Sequence, residues 1–117
     1  MSLPNITIDM IHAFTKCLDD KLAKDIVVLN MENVSPLYDV FIIASVDSTR
    51  QANALVTYLE EVAENYDYPL RHINGNSQSD WILLDFGSII IHLFTPKARN
   101  LYNLERLWGD CERLSWQ

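Results

Sequence analysis

The feature that most constrains the fold is a pair of apolar segments, residues 81–84 and 88–94, separated only by Asp85, Phe86 and Gly87. A tight three-residue loop needs one residue at positive φ, and glycine adopts that conformation without steric cost. The two segments are therefore predicted to form an antiparallel β-hairpin.

Helix signals lie on both sides of this hairpin. Downstream, Thr95 can accept hydrogen bonds from the free amides of a first turn, Pro96 suits the first helical position, and Gly109 is a natural stop. Upstream, Thr7 is expected to cap a first helix in which apolar residues recur every three or four positions. The apolar residues of that helix are Ile8, Ile11, Phe14, Leu18 and Leu22.

The middle of the chain adds a helix and three strands. Ser48 and Gln51 form a capping box, in which the Ser48 hydroxyl takes the Gln51 amide and the Gln51 side chain returns to the Ser48 amide. Residues 25–30 and 38–44 predict two strands, and residues 70–73 predict a short edge strand. A strand, helix and strand in succession usually form a right-handed crossover, whereas the hairpin is antiparallel, so we expect a mixed sheet.

These elements predict a small single α/β domain with a mixed five-stranded sheet and flanking helices. With 117 residues, of which 49% are hydrophobic, the chain can bury a core without a metal or disulfides. The domain is expected to span residues 1–110, with a C-terminal tail at 111–117. Cys17 and Cys111 lack the close spacing of zinc ligands, and Cys17 is expected to be a small core residue.

The charge distribution bears on the class of partner. Net charge is −7, with 4 Lys/Arg against 11 Asp/Glu in residues 1–70 and 5 against 5 in residues 71–117. An acidic chain is a poor general ligand for phosphate backbones. The sequence also shows neither a secretory leader nor an apolar run of about 18 residues. We therefore expect a cytoplasmic protein whose partner is a protein surface, not nucleic acid or a membrane.

No catalytic motif emerges from the sequence. Its three glycines are isolated and form neither a phosphate-binding loop nor a dinucleotide fingerprint. The nearest approach to a hydrolase triad is Ser88, Asp85 and His92, but Ser88 and His92 lie four residues apart on one strand, about 13 Å. A metal site of His72, His92 and a carboxylate has no local spacing to support it. We expect no enzymatic activity, no cofactor and no metal.

The hairpin instead suggests a binding surface. Trp, Tyr and Arg dominate the energies of many interfaces, because they combine large buried area with a polar group. The alternative is that the aromatic residues pack beneath the last helix. The patch that would suit a protein partner comprises Trp81, Phe86, His92, Arg99 and Tyr102.

Three segments carry a resemblance to a known family: WILLDFGSIIIHLF from Trp81, RNLYNLERLWGD from Arg99 and DVFIIASVDSTRQANAL from Asp39. Together they resemble the Iojap family, the ribosomal silencing factors (RsfS). The resemblance implies an α/β fold similar to nucleotidyltransferases but without their catalytic residues. It further implies binding to a large-subunit ribosomal protein at the intersubunit face, which obstructs subunit joining and lowers translation when nutrients are scarce. Dimers away from the ribosome are implied as well.

The resemblance also implies roles for single residues. The expected partner-binding residues are Trp81, Asp85, Phe86, His92, Arg99 and Tyr102. The residues expected to serve packing are Leu104, Leu107 and Trp108. The chain departs from the family pattern at three positions, where the loop contacts are expected to differ: Asn74, Ser88 and Val46.

Two alternative functions stay open at this point: an adaptor for some other protein, which the sequence does not separate from the first reading, and a nucleotide-binding protein. A nucleotidyltransferase-like protein that binds nucleotides, or an enzyme, would need a pair of carboxylates holding a metal. The strand-associated candidates are Asp39, Asp80 and Asp85.

Overall fold

The computed structural model describes residues 3–76 and 78–116. In chain order the elements are α1 (Asn5–Asp20), β1 (Lys24–Asn30), β2 (Val40–Ser45), α2 (Thr49–Asn65), β3 (His72–Asn74), β4 (Trp81–Asp85), β5 (Ile89–Phe94), α3 (Pro96–Tyr102), α4 (Leu104–Leu107) and β6 (Glu112–Leu114). The strands form one sheet in the order β3-β4-β5-β2-β1-β6. The predicted α/β domain with a mixed sheet is confirmed, although the sheet has six strands and not five.

Only the central pair of strands is parallel. β2 runs parallel to β5, with Val40 opposite Ile89 and Ser45 opposite Phe94. All other neighbouring strands are antiparallel. Because every residue of β5 is buried, this strand lies inside the domain with both of its faces covered.

The hairpin of β4 and β5 forms as predicted. Its loop is closed by a hydrogen bond from the Phe86 amide to the Ile89 carbonyl, and Gly87 adopts φ +95°. The Asp85 carboxylate accepts the Gly87 amide at 2.7 Å, which fixes the turn from its first residue. The turn therefore supports itself by local hydrogen bonds.

The predicted C-terminal tail is wrong over residues 112–114. These residues form β6, which pairs with β1 and places Leu114 opposite Val28. The Trp116 indole N–H also donates to the Ile26 carbonyl at 3.0 Å. A strand of three residues has too little alternation to be recognised in the sequence, and only its pairing with a distant strand defines it.

The first helix begins earlier than the sequence predicted. Its first residue is Asn5, and the preceding Pro4 makes no side-chain cap, so Thr7 lies inside the helix and is buried. Of the predicted apolar face, Ile11, Phe14 and Leu18 are buried, whereas Ile8 and Leu22 are exposed. The buried face is completed by Met10, Thr15 and Cys17.

Of the two hydrogen bonds predicted for the cap of α2, one forms. The Ser48 hydroxyl accepts the Gln51 amide at 3.1 Å. The Gln51 side chain does not return to Ser48; its oxygen accepts the Asp47 amide at 2.7 Å, and its nitrogen donates to the Lys21 carbonyl at 3.2 Å. This second bond ties the start of α2 to the end of α1.

The last helix is interrupted. Thr95 caps α3 as predicted, accepting the Ala98 amide. Asn103 then adopts a left-handed conformation at φ 44°, which ends α3 and caps the four-residue α4. Gly109 therefore follows the second helix, α4, and not α3, because asparagine tolerates left-handed geometry and its side chain can restart a helix.

The two faces of the sheet carry separate cores. Residues of α1 and α2 pack on one face, among them Phe14 and Leu55. The opposite face is covered more thinly, by Ala98 of α3 and by Leu104 and Trp108 around α4. None of the helices in residues 3–76 and 78–116 combines the length and apolar character that crossing a bilayer requires.

Replacing Gly75 by alanine is expected to destabilise the fold. Gly75 lies in the turn after β3 at φ +104°, and an added Cβ would come within 2.8 Å of the Trp81 carbonyl oxygen. Because the clash is with backbone and the conformation is left-handed, we expect the free energy of unfolding to fall by about 2–3 kcal/mol. Urea denaturation followed by circular dichroism measures the change.

Gly109→Ala is the matched control. Gly109 is exposed, and its added Cβ would lie 3.3 Å from its nearest neighbour, the Arg106 carbonyl oxygen. We expect a change of less than about 1 kcal/mol there. Equal losses in the two variants would contradict a special constraint at Gly75.

Candidate protein-binding surface

A row of aromatic side chains crosses the thinly covered face of the sheet. Tyr38 and Phe41 have ring centroids 6.0 Å apart, and Phe41 meets Trp108 edge to face at 6.3 Å. At the other end, Trp81 lies 4.7 Å from Tyr102. We call this set the aromatic strip: Tyr38, Phe41, Trp81, Tyr102 and Trp108. All five are partly or fully exposed.

His92 joins the two halves of the aromatic strip from beneath. Its ring lies 4.7 Å from Phe41 and 5.8 Å from Trp81. The Trp81 indole N–H donates to Nδ1 of His92 at 3.1 Å. An Nδ1 that accepts is unprotonated, so the proton of the neutral ring sits on Nε2, for which the described residues offer no acceptor.

Burial holds His92 in the neutral form. The residue is only 3% exposed, and desolvation of the imidazolium lowers the pKa of His92 to about 4. At neutral pH the ring is therefore an uncharged acceptor that orients Trp81. His92 supports the surface and does not itself reach a partner.

Tyr102 is the most accessible member of the aromatic strip, at 50% exposure. Leu101 and Leu107 on α3 and α4 are more exposed still, and Leu37 is exposed beside Tyr38. The sequence reading assigned Leu107 to packing, which is wrong, whereas Leu104 and Trp108 do pack on the sheet. The prediction for Leu107 is wrong because the helix breaks at Asn103. α4 does not continue the helical periodicity of α3, and Leu107 is left exposed.

A shallow pocket adjoins the aromatic strip. It measures about 360 Å³ and is lined by Trp81, Tyr102, Lys97 and Leu101, with Asp80 at its edge. Its apolar walls and single lysine would accept one side chain of a partner.

The sequence did not identify three surface residues next to the aromatic strip or within it: Phe41, Leu37 and Leu101. Each is an ordinary apolar residue in the sequence, and only the fold leaves it on the surface.

Arg99 is not available for a partner in the way predicted. Its side chain is only 10% exposed, and its Nε donates to the Glu105 carboxylate at 2.9 Å. A second guanidinium nitrogen donates to the Ser45 hydroxyl at 2.8 Å. Arg99 therefore connects α3 to α4 and to the end of β2, which holds the interrupted helix against the sheet.

Phe86 and Asp85 lie away from the aromatic strip. Phe86 is buried on the opposite face, where its ring lies 4.7 Å from Phe14, so its predicted place on the surface is wrong. The reason is the two-residue alternation, which sends Phe86 to the face opposite Trp81. Asp85 is half-buried and caps the turn at Gly87. Of the predicted residues, only Trp81 and Tyr102 form one accessible surface, with His92 below them.

Two of the three carboxylates proposed for a nucleotidyltransferase-like site, Asp80 and Asp85, do not come together. Asp80 and Asp85 stand at opposite ends of β4, about 16 Å apart along an extended strand. His72 lies on the exposed edge strand, bonded to Asn74, and His92 is buried. Within the described part of the chain, no three His, Cys, Asp or Glu side chains are grouped as metal ligands.

The stability of the fold is expected to fall with acid through His92. The pKa of His92 is about 4 in the folded state and about 6.5 in an unfolded chain, so the unfolded state binds the proton more readily between these values. Stability is complete above pH 6.5 and decreases as the pH falls toward 4. Between pH 7 and pH 5 we expect a loss of about 2 kcal/mol from this residue alone.

His92→Asn isolates that contribution, because an amide oxygen can still accept the Trp81 N–H but the side chain does not titrate. Urea unfolding of both proteins at pH 7 and pH 5 gives the comparison. The variant is expected to lose about 2 kcal/mol less than the wild type over this range. Parallel losses in the two proteins would mean that His92 is not the group responsible.

Comparison with known proteins identifies the family. Residues 4–117 match the family described as "Ribosomal silencing factor during starvation", RsfS. A ribosomal silencing factor of Zymomonas mobilis is 39% identical over 86% of this chain and 75% of its own length. A mouse protein named mitochondrial assembly of ribosomal large subunit protein 1 is 36% identical over 84% of this chain and 44% of its own length. A crystal structure from Bacillus halodurans, 31% identical, superimposes with a TM-score of 0.79 and covers 92% of this chain and 97% of its own. The chain therefore belongs to the RsfS family of ribosomal silencing factors.

Proposed function

We propose that this protein represses translation by occupying the large ribosomal subunit where the small subunit must dock. The aromatic strip binds a ribosomal protein at the intersubunit face, in the cytoplasm, and subunit joining is obstructed for as long as the complex lasts. No bond is made or broken in this mechanism. Its potency depends on residence time and on the ratio of factor to ribosome.

The observation that carries the proposal is the partly exposed aromatic strip on the sheet. Tyr102 presents a large apolar ring with a hydroxyl at its edge, and Trp81 lies against it; both residue types often dominate interface energies. Leu101 and Leu107 extend the apolar surface beyond the strip. An interface of ordinary size, about 800 Å² per partner, would be centred on these side chains.

The family relationship supports the choice of partner. The mouse relative is named for assembly of the large ribosomal subunit, which points to that subunit and not to the small one. The family description names silencing during starvation, and neither that description nor the name of the mouse protein specifies a reaction. We therefore propose a non-enzymatic regulator that acts when nutrients are limiting.

The free protein is proposed to form dimers. A monomer in solution exposes Leu101, Leu107 and Tyr102, and a second copy is the simplest cover for apolar side chains that stay this exposed. If the dimer uses the aromatic strip, dimerisation and ribosome binding compete for one surface. Sedimentation velocity over a range of concentrations detects such a dimer.

Tyr102→Ala is expected to weaken binding to purified large subunits by at least about tenfold, because it removes the most exposed ring of the aromatic strip. Tyr66→Ala is the matched control, since Tyr66 is 47% exposed and Tyr102 is 50% exposed, but Tyr66 lies at the end of α2. Co-sedimentation through a sucrose gradient measures binding, and light scattering measures subunit joining.

Two results would count against the proposed surface. Wild type that stays at the top of the gradient with large subunits in excess would remove the ribosomal assignment. Equal binding by the Tyr102 and Tyr66 variants would leave the assignment but move the interface away from the aromatic strip. Circular dichroism of both variants establishes that neither change unfolds the protein.

Salt is expected to slow association more than it speeds release. Many ribosomal proteins are basic, and the excess negative charge of this chain lies in residues 1–70, so long-range attraction accelerates encounter. Stopped-flow association with large subunits from 50 mM to 300 mM salt provides the test. An association rate that does not change with ionic strength would exclude electrostatic steering.

A further inference from the structure

A second pocket lies at the edge of the sheet, away from the aromatic strip. It measures about 330 Å³ and is bounded by the start of α1, the end of β1 and the edge strand β6. Four of its nine lining residues are apolar, and His12 and Ser115 are also part of the lining. These apolar residues are Leu3, Ile8, Ile11 and Leu114. The pocket thus has an apolar interior although it opens to solvent.

Two carboxylates stand at the rim of this pocket. Glu32 follows β1, and Glu112 begins β6, so that the two residues meet only because β1 and β6 pair. The Asn30 amide nitrogen lies between them, 3.4 Å from the Glu32 carboxylate and 3.2 Å from that of Glu112. Asn30 is itself fixed, because its side-chain oxygen accepts the Glu32 amide at 3.0 Å.

Among the described residues, neither carboxylate of this rim forms an ion pair. The ion pairs of residues 3–76 and 78–116 join Lys16 to Asp20, Lys24 to Asp47 and Arg99 to Glu105. None of these pairs involves Glu32 or Glu112. One amide shared by two carboxylates brings like charges together, and a positively charged group would relieve the repulsion.

We infer that this pocket receives a lysine or arginine side chain from a basic protein partner. The apolar lining suits the methylene stem, and Glu32 with Glu112 suits the charged head, which is how long cationic side chains divide themselves between apolar and polar surroundings. This inference rests on the proposed function, since the partner meant is the ribosomal protein that binds the aromatic strip. A metal ion is a poorer fit, because the residues described provide no third ligand.

One partner can reach both surfaces. Glu112 lies four residues after Trp108 of the aromatic strip, so the chain between them spans at most about 14 Å. A polypeptide docked on Trp108 therefore needs only a short extension around β6 to place a basic side chain in the pocket. The pocket would add affinity and fix the orientation in which the partner binds.

The chemistry of the pocket can be tested without ribosomes. The probe is the peptide acetyl-Leu-Lys-Leu-amide, added to the ¹⁵N-labelled protein at millimolar concentration. Amide resonances of Asn30, Glu32 and Glu112 are expected to shift, whereas the peptide with glutamine in place of lysine leaves them unchanged. Absence of a lysine-dependent shift overturns the inference. Larger shifts with spermidine than with the lysine peptide would also overturn it, in favour of a small polyamine ligand.

Binding to large subunits tests the role of the pocket. The variant carries Glu32→Gln and Glu112→Gln together, which keeps both side chains able to accept from Asn30 but removes their charge. We expect about tenfold weaker binding, mostly through faster release. The control carries Glu61→Gln and Glu64→Gln, two exposed carboxylates of α2, and is expected to change binding by less than twofold.

The outcomes separate the two proposals. If wild type binds large subunits and the Glu32/Glu112 variant binds equally well, the pocket is not used by that partner and the inference is wrong. If the lysine peptide shifts the pocket resonances but wild type does not bind large subunits, the proposed function fails while the cation-binding chemistry stands. Thermal unfolding of the Gln variants confirms that each remains folded.

Discussion

The parallel pairing of β2 with β5 is the constraint on which the rest of the structure depends. These strands lie side by side at the centre of the sheet, and the helix that follows each goes to a different face. α2 leaves the end of β2 toward α1, whereas α3 leaves the end of β5 toward the opposite side. Both faces of the central strands must then be apolar, and Ile42, Ile43 and Ile91 are fully buried as a result.

The two faces receive unequal cover, and the surface of this protein follows from that inequality. α1 and α2 have 16 and 17 residues, enough to shield one face. α3 and α4 have 7 and 4, so part of the other face stays open. Aromatic side chains fill the uncovered part, because they bury much of their area against each other and keep polar groups at the edge. The Trp81–His92 hydrogen bond fixes this arrangement from inside.

Local signals in the sequence were sufficient for the elements whose stability is local. The Gly87 turn and the Thr95 and Ser48 caps were predicted because each depends on residues within four positions of itself. The predictions that were wrong concern residues whose positions depend on contacts distant in the sequence. Arg99 is withdrawn from the surface by Ser45, 54 residues away, and β6 exists only through its pairing with β1. Phe86 is a different case. Alternation along β4 already indicates that Phe86 faces the side of the sheet opposite Trp81, so its burial was predictable from the sequence.

The proposed occlusion mechanism needs no reactive group, and the polar residues next to the aromatic strip have structural roles. The histidine nearest the aromatic strip is held neutral by burial, and the arginine predicted to reach outward instead fixes a helix in place. Polar groups beneath the strip thus contribute rigidity, which limits the entropy lost when a partner binds. Glu32 and Glu112, by contrast, stay accessible to solvent at an edge strand, where the proposed basic side chain would meet them without the cost of burying an unpaired ion.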